Sequence, residues 1–170
     1  MIHDFYKDLA TGKVGEARIM EWFKRNSLID HVDDLRDISS YREVDVDFRI
    51  HFKDGHCETA ELKTDGTTYP NLYYEEYSAI ETGSIGCLAK TQADNIIYFY
   101  NKLGFMYRLD TLKFRAWIGD NRDDIIKRTG VKKVSTRRYD GSTYTSIGIA
   151  IPRVMIDQDL KLMGTKIFLK

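Results

Sequence analysis

A strict alternation of apolar and polar residues over positions 44–52 most limits how this chain can fold. The apolar positions are Val44, Val46, Phe48, Ile50 and Phe52. A period of two is typical of a strand with one buried face. The next residues read Lys-Asp-Gly, and a three-residue hairpin loop needs positive φ at its last residue, a conformation that Gly55 adopts readily. The pattern therefore predicts a β-hairpin over residues 45–63.

The length of the loop decides which residues face each other. With three loop residues, Asp47 lies opposite Glu61 and Asp45 opposite Lys63, with opposed Cβ atoms about 4.5–5.5 Å apart on one face. A two-residue loop would place Asp47 opposite Leu62 and send the two carboxylates to different faces. The apolar residues of the second strand favour the three-residue loop. With that loop, Ala60 and Leu62 project to the same face as the apolar residues of the first strand.

The predicted cluster of charges has two interpretations. Two close carboxylates repel each other unless a cation lies between them, and Mg²⁺ prefers carboxylate oxygens while keeping positions for water and phosphate. Lys63 would share the face of Glu61 and could reach a water or a phosphate oxygen. The same residues also fit a solvated face with cross-strand ion pairs, Asp45 with Lys63 and Arg49 with Glu61, each worth about 0.2–1 kcal/mol. The hairpin alone leaves both interpretations open.

Composition narrows the class of protein. A chain of 170 residues with 42% hydrophobic and 31% charged residues is typical of one globular domain, which we place at residues 1–170. The formal net charge is zero, so a polyanion site would have to come from local clustering. No apolar run reaches the roughly 18 residues of a membrane span, and the N-terminus lacks the apolar core of a signal peptide. We expect no membrane association and a cytoplasmic location.

The cysteines indicate a reducing compartment. Cys57 and Cys87 form no Cys-x-x-Cys pair, which argues against a disulfide framework or a zinc site. His51 and His56 lie near Cys57 in sequence, and we interpret all three as residues at the strand ends rather than as metal ligands.

A helix is predicted before the hairpin, over residues 4–26. Thr11 is a candidate N-cap, and Gly12 and Gly15 weaken the pattern and predict a break near them. Glu16 would lie in the first turns, where an acidic side chain is favourable near the positive end of the helix. That electrostatic role is enough to explain an acidic residue at this position. A functional role for Glu16 is therefore a second interpretation.

The remaining elements are predicted from apolar runs and turn signals. We expect strands near 35–39, 71–80, 95–100, 105–109 and 143–151, with 71–80 continuing the sheet, 95–100 buried at its centre and 143–151 as the last strand. We expect helices at 111–117, 122–129 and 155–162.

The most basic stretch of the chain lies near its C-terminal end. Six cations occur there without an acidic residue: Lys127, Arg128, Lys132, Lys133, Arg137 and Arg138. A charge run is commonly a solvated face, but a loop that contacts phosphates explains this one equally well in a chain of zero net charge.

The order of these features resembles the PD-(D/E)XK nuclease superfamily, which has the restriction-endonuclease-like fold. The family motif is an acidic residue, a spacer and then Asp/Glu-x-Lys, and Asp47 with Glu61-Leu62-Lys63 matches it. The following residues are similar to small phage and bacterial endonucleases and Holliday-junction resolvases, with an aromatic segment and a glutamate at 71–76 and a buried strand opened by Ala93-Asp94. The resemblance covers about residues 12–118.

The resemblance implies an α/β fold with a mixed central sheet flanked by helices and an active site on the hairpin. It implies Mg²⁺, for which Mn²⁺ could substitute, held by Asp47, Glu61 and the backbone carbonyl of Leu62. Lys63 would orient or activate the attacking water, and Glu16 would face the waters of the metal or a second ion. The basic stretch would hold backbone phosphates. The implied function is a metal-dependent DNA endonuclease, with branched or junction DNA as one class of substrate.

Two positions depart from the family pattern, and two other functions stay open. Val46 stands where a proline often precedes the first acid, and Asp45 is a second candidate acid. The alternative function is a non-catalytic nucleic-acid-binding module that keeps the fold. A third is an interaction protein that meets its partner through the aromatic segment 69–77. A resolvase or an enzyme that cuts palindromic DNA would act as a homodimer, in a bacterial or phage-infected cell.

Overall fold

The computed structural model describes residues 2–137 and 140–169, with side chains described from residue 9 onward. Strands and helices alternate along the chain in an α/β arrangement. In order they are β1 (Ile2–Asp4), α1 (Phe5–Arg25), β2 (Ile29–Asp34), α2 (Ser39–Arg42), β3 (Phe48–Phe52), β4 (Cys57–Asp65), β5 (Asn71–Ala79), a 3₁₀ turn (Ile80–Thr82), β6 (Ser84–Ile85), α3 (Cys87–Lys90), β7 (Asn95–Tyr100), β8 (Phe105–Asp110), α4 (Thr111–Thr129), β9 (Val131–Arg137), β10 (Thr143–Pro152), α5 (Arg153–Met163) and β11 (Gly164–Phe168).

The larger of the two sheets is mixed and has six strands in the order β11-β8-β7-β4-β3-β2. β4 and β7 are parallel, and the other neighbours are antiparallel. The mixed sheet flanked by helices confirms the coarse fold class. β7 lies near the middle, and all its residues after Asn95 are buried, which confirms the prediction made from its continuous apolar run.

A smaller sheet of five strands, in the order β1-β9-β10-β5-β6, was not predicted. The aromatic segment forms β5 as expected, but β5 pairs with β10 in this second sheet and does not continue the first one. The reason is its pattern: Leu72 and Tyr74 are buried in a core shared with Ile149 and Ile151 of β10. The two sheets meet where the Tyr73 amide donates to the Tyr98 hydroxyl at 3.2 Å.

α1 covers one face of the larger sheet. Its Ile19 and Phe23 are buried against Phe48, Ala60 and Leu62 of the hairpin. The helix is continuous from Phe5 to Arg25, which confirms the helix predicted over residues 4–26. The candidate N-cap at Thr11 and the predicted break near Gly12 and Gly15 are wrong. Tertiary packing overrides the low helix propensity of glycine here.

α4 is one helix, where the sequence predicted two. The Asp110 side chain caps it by accepting from the Lys113 amide at 2.9 Å, and Gly130 ends it with φ +68°. Gly119, in the middle, has open space around it and does not interrupt the helix. Phe114, Trp117 and Ile118 of α4 pack with α5 against the second core, on the other face of the larger sheet.

Three further predictions differ from the structure. The first strand of the larger sheet is Ile29–Asp34, residues 35–38 form the turn after it, and Ser39 begins α2. The basic stretch forms the end of α4 and strand β9, not a loop. β10 is not the last strand, because β11 follows α5 and pairs with β8.

None of the helices in the described ranges is both long and apolar enough to cross a membrane.

Candidate active site

The hairpin has the register that the three-residue loop predicts. Phe48 pairs with Ala60 and His51 with Cys57, and Gly55 has φ +92°. The Asp47 amide extends the pairing by donating to the Ala60 carbonyl at 3.0 Å. Asp47 therefore lies opposite Glu61, although the regular strand begins only at Phe48.

The Asp47 and Glu61 carboxyl groups are hydrogen-bonded to each other. Glu61 is only 7% exposed. Asp47 Oδ2 also accepts from the Leu62 amide at 2.8 Å, which fixes the orientation of the carboxyl group. Both acidic side chains thus converge on one point at the edge of the hairpin, on the face opposite to α1.

The environment of this pair favours the protonated form. Burial, the negative charges of Asp47 and Asp45 and the hydrogen bond to Asp47 raise the pKa of Glu61 to about 9, and the positive charge of Lys63 opposes the rise. Burial raises the pKa of Asp47 as well, although hydrogen bonds from Leu62 and Glu61 and the charge of Arg36 lower it. With a pKa of about 9, Glu61 carries a proton at neutral pH, and a cation bound beside the pair would favour ionisation of both acids.

Lys63 lies beside the carboxyl pair. It is two residues after Glu61 on β4, so its side chain projects to the same face. Its positive charge lowers the pKa of Glu61 and also acts on Tyr73 and Cys87. The ammonium group therefore lies near enough to act on both Glu61 of the hairpin and Tyr73 of the smaller sheet.

Asp45 does not extend the first strand of the hairpin. It has φ +48°, a left-handed conformation that interrupts an extended backbone. Its Oδ2 lies 3.0 Å from Nζ of Lys90 on α3, and its negative charge still acts on Glu61. Asp45 therefore lies at the outside of the cluster. Its carboxylate is paired with Lys90, a residue that was not identified from the sequence.

Glu16 reaches the cluster from α1. Arg36 donates to Glu16 and also to both carboxylate oxygens of Asp34, at 2.8 and 2.6 Å. The charges of Glu16 and Arg36 both act on Asp47. The structure thus brings Glu16 near the hairpin acids, with Arg36 as a bridge between two acidic side chains.

A close approach of α1 to β4 allows this placement of Glu16. A Cβ atom on Gly15 would lie 2.1 Å from Oγ1 of Thr64. Only glycine fits at that contact, which explains why a residue of low helix propensity lies inside α1.

The donor atoms in this cluster suit a hard divalent cation. Asp47 and Glu61 offer carboxylate oxygens, and the Leu62 carbonyl lies in the backbone between Glu61 and Lys63. Such oxygens are the ligands that Mg²⁺ and Mn²⁺ prefer. Since Glu61 must lose its proton to bind, the affinity for a cation should rise with pH.

The basic residues do not form one surface. Lys127 and Arg128 end α4, and Arg128 pairs with Asp124 at 2.9 Å. Lys132, Lys133 and Arg137 are exposed on β9, where side chains alternate between the two faces. Arg138 lies outside the described residues.

Lys132 has the position on β9 that faces the candidate site. It pairs with Gly148, which in turn pairs with Glu75 of β5, and opposed residues share a face. The charge of Glu75 acts on Tyr73 and Cys87, as the charge of Lys63 does. Lys133 and Arg137 project to the other face of the smaller sheet.

Four residues near the site were not identified from the sequence: Arg36, Glu75, Cys87 and Lys90. The charges of Lys63, Glu61, Glu75 and Asp45 all act on Cys87, and burial raises its pKa to about 12, so the thiol stays protonated. None of the four belongs to a short motif. They join the site through contacts with residues that are distant in sequence. For Glu75 alone there was a sequence signal, a glutamate in the aromatic segment 71–76.

Comparison of the chain with protein-family models, with curated proteins and with solved structures finds no match. The geometry and chemistry of the cluster are therefore the basis for proposing a function.

Proposed function

We propose that this chain is a metal-dependent DNA endonuclease of the PD-(D/E)XK type with a restriction-endonuclease-like fold. The observation that supports it most is the hydrogen-bonded pair of Asp47 and Glu61 with Lys63 beside it. A solvated face with cross-strand ion pairs would leave these acids exposed and separately paired. Instead, Glu61 is buried against another acid, an arrangement that costs free energy unless a cation is bound.

The residues of the cluster would have separate tasks in phosphodiester hydrolysis. Asp47 and Glu61, with the Leu62 carbonyl, would hold a divalent cation. Bound there, Mg²⁺ supplies Lewis-acid polarisation of the scissile phosphate and a water of lowered pKa. The Leu62 amide keeps the Asp47 carboxyl group oriented, which would lower the cost of positioning this ligand before the substrate arrives.

Lys63 would stabilise charge that develops on the phosphate. A pre-positioned ammonium group in a partly buried site acts strongly on a forming negative charge. Arg36 would keep Glu16 in place on the α1 side, where Glu16 could accept hydrogen bonds from waters near the cation. DNA as the partner and a homodimer remain predictions.

The test is cleavage of supercoiled plasmid and of labelled linear, flapped and four-way-junction DNA, with Mg²⁺, Mn²⁺ or EDTA. We expect cleavage with either metal and none with EDTA. Glu61→Gln and Lys63→Ala should each lower the cleavage rate at least about a hundredfold.

The controls for this test are exposed residues of the same type. Glu21→Gln lies on α1 and Lys53→Ala lies in the hairpin turn. If the site variants lose no more activity than these controls, the proposal is wrong. If the wild-type chain binds DNA but cuts none of the substrates with either metal, the non-catalytic binding module replaces it.

A further inference from the structure

A second group of metal-ligating side chains lies at the outer edge of the larger sheet. His31, Asp33 and His51 offer ligand atoms that all lie within 4.8 Å of one another. His31 and His51 are a directly opposed pair on β2 and β3. From the sequence, His51 was interpreted as a strand-end residue, because nothing in the chain order brought His31 and Asp33 to it.

Both imidazole rings are oriented by a hydrogen bond to Nδ1. His31 Nδ1 lies 2.8 Å from Asp30 Oδ2, and His51 Nδ1 lies 3.0 Å from Cys57 Sγ. A hydrogen bond to one ring nitrogen fixes the tautomer and leaves the other nitrogen to bind a metal. The Nε2 atom of His51 lies 2.9 Å from Asp33 Oδ2, so an ion bound between them would take the place of this hydrogen bond.

An irregularity in β2 explains how Asp30 reaches its neighbour. The register shifts between Ile29 and His31, so Asp30 is an extra residue in this strand. Adjacent side chains normally project to opposite faces, and a bulge can re-aim one of them. The carboxyl group of Asp30 can then support the His31 ring from the same side.

The surroundings leave this group accessible. The side chains of His31 and Asp33 are 56% and 44% exposed, and His51 is 24% exposed. Arg49 lies opposite Asp33, but its guanidinium donates to the Tyr41 hydroxyl and lies over the Tyr41 ring. The guanidinium is therefore held at Tyr41, although its positive charge still lowers the pKa of Asp33.

We propose that His31, Asp33 and His51 form a second metal site that takes Zn²⁺ or a chemically similar transition-metal ion. Two imidazoles and one carboxylate are a ligand set that suits such ions and suits Mg²⁺ poorly. Zn–N bonds of about 2.0–2.1 Å place the ligand atoms of a tetrahedral site roughly 3.4 Å apart. The His31 and His51 rings are stacked with their centroids 4.0 Å apart, so the more exposed His31 ring would rotate to direct a nitrogen at the ion, and water would supply the fourth ligand.

The ion would join the edge strand β2 to β3. The site lies on the same face as Asp47 and Glu61, since His51 is four residues beyond Asp47 along the hairpin, or about 13 Å at the usual rise of a strand. It is separate from the hairpin acids, and its existence does not rest on the proposed nuclease function.

The experiment is calorimetric titration of the EDTA-treated, dialysed full chain with Zn²⁺, in millimolar Mg²⁺ to occupy the hairpin acids. We expect one Zn²⁺ per chain. His31→Ala and Asp33→Asn should weaken Zn²⁺ binding at least about tenfold, and His56→Ala, a histidine in the same hairpin that pairs with Asp54, should not. Circular dichroism without metal checks that each variant is folded.

A second readout tests the ligand set. With Co²⁺ in place of Zn²⁺, the visible spectrum should show nitrogen and oxygen ligation without a strong thiolate charge-transfer band. The proposal is overturned if the wild-type chain takes up no Zn²⁺, if His31→Ala and Asp33→Asn bind Zn²⁺ as tightly as His56→Ala does, or if the Co²⁺ spectrum shows Cys57 thiolate as a ligand.

Discussion

Glu61 is the residue whose protonation connects the fold to the proposed chemistry. A glutamate in the unfolded chain has a pKa near 4.5, and in the folded chain burial and the neighbouring acids raise it to about 9. Between these values, folding takes up a proton, so the free energy of unfolding must fall as the pH rises. The same proton must leave when a cation binds, which links stability, pH and metal at one side chain.

This linkage predicts a pH profile of stability. In EDTA, the free energy of unfolding of the wild-type chain should fall by about 1 kcal/mol per pH unit between roughly pH 5 and pH 8. Glu61→Gln cannot ionise and should lose this part of the dependence. Urea denaturation followed by circular dichroism measures both profiles. Parallel profiles for the two proteins would show that Glu61 is ionised in the fold, contrary to this account.

At the scale of elements, the hairpin could be predicted and its surroundings could not. Its register follows from local facts, the alternation of apolar residues and the positive φ of Gly55. Asp45 and its partner Lys90 could not be predicted, because α3 comes to the hairpin only in the folded chain. Glu16 was identified from its place before the motif, whereas Arg36, which holds it, belongs to no sequence pattern.

The long helix α1 shows why the local glycine signal misled. Gly15 lowers helix propensity, but it also permits the contact with Thr64. Packing decides between these effects, because most helical stability in proteins comes from the buried face. The same holds for α4, where Gly119 did not end the helix.

The two glycines therefore make a matched pair of substitutions. Gly15→Ala should destabilise the chain by about 1–3 kcal/mol, because the new methyl group collides with Thr64. Gly119→Ala should stabilise it by about 0.5–1 kcal/mol, since nothing lies within 4 Å and alanine favours the helix. Urea denaturation of both variants checks the signs. A neutral Gly15→Ala would mean that α1 does not approach β4 this closely.

At the scale of the whole molecule, the candidate site lies where the two sheets meet. With a formal net charge of zero, the chain has no overall electrostatic field to attract DNA. The face to which each lysine and arginine side chain projects then decides where a phosphate backbone could lie. The smaller sheet presents Glu75 and Lys132 on the side of the site and Lys133 on the other side. The sequence could not separate these lysines, because the basic stretch was predicted as a loop.

Two adjacent lysines test this placement. If DNA crosses the face of the smaller sheet that adjoins Lys63, Lys132→Ala should weaken DNA binding and reduce the slope of log affinity against log salt by about one. Lys133→Ala should change neither quantity. Fluorescence anisotropy of labelled DNA at several salt concentrations measures both. Equal effects of the two substitutions would contradict the placement.

Direct binding of Mg²⁺ tests the central claim that Asp47 and Glu61 together hold a divalent cation. Calorimetric titration should show binding to the wild-type chain that tightens as the pH rises. Asp47→Asn and Glu61→Gln should each weaken it at least about tenfold, and Asp54→Asn in the exposed turn should leave it unchanged. Equal Mg²⁺ affinity in the wild-type chain and in the two site variants would contradict the account.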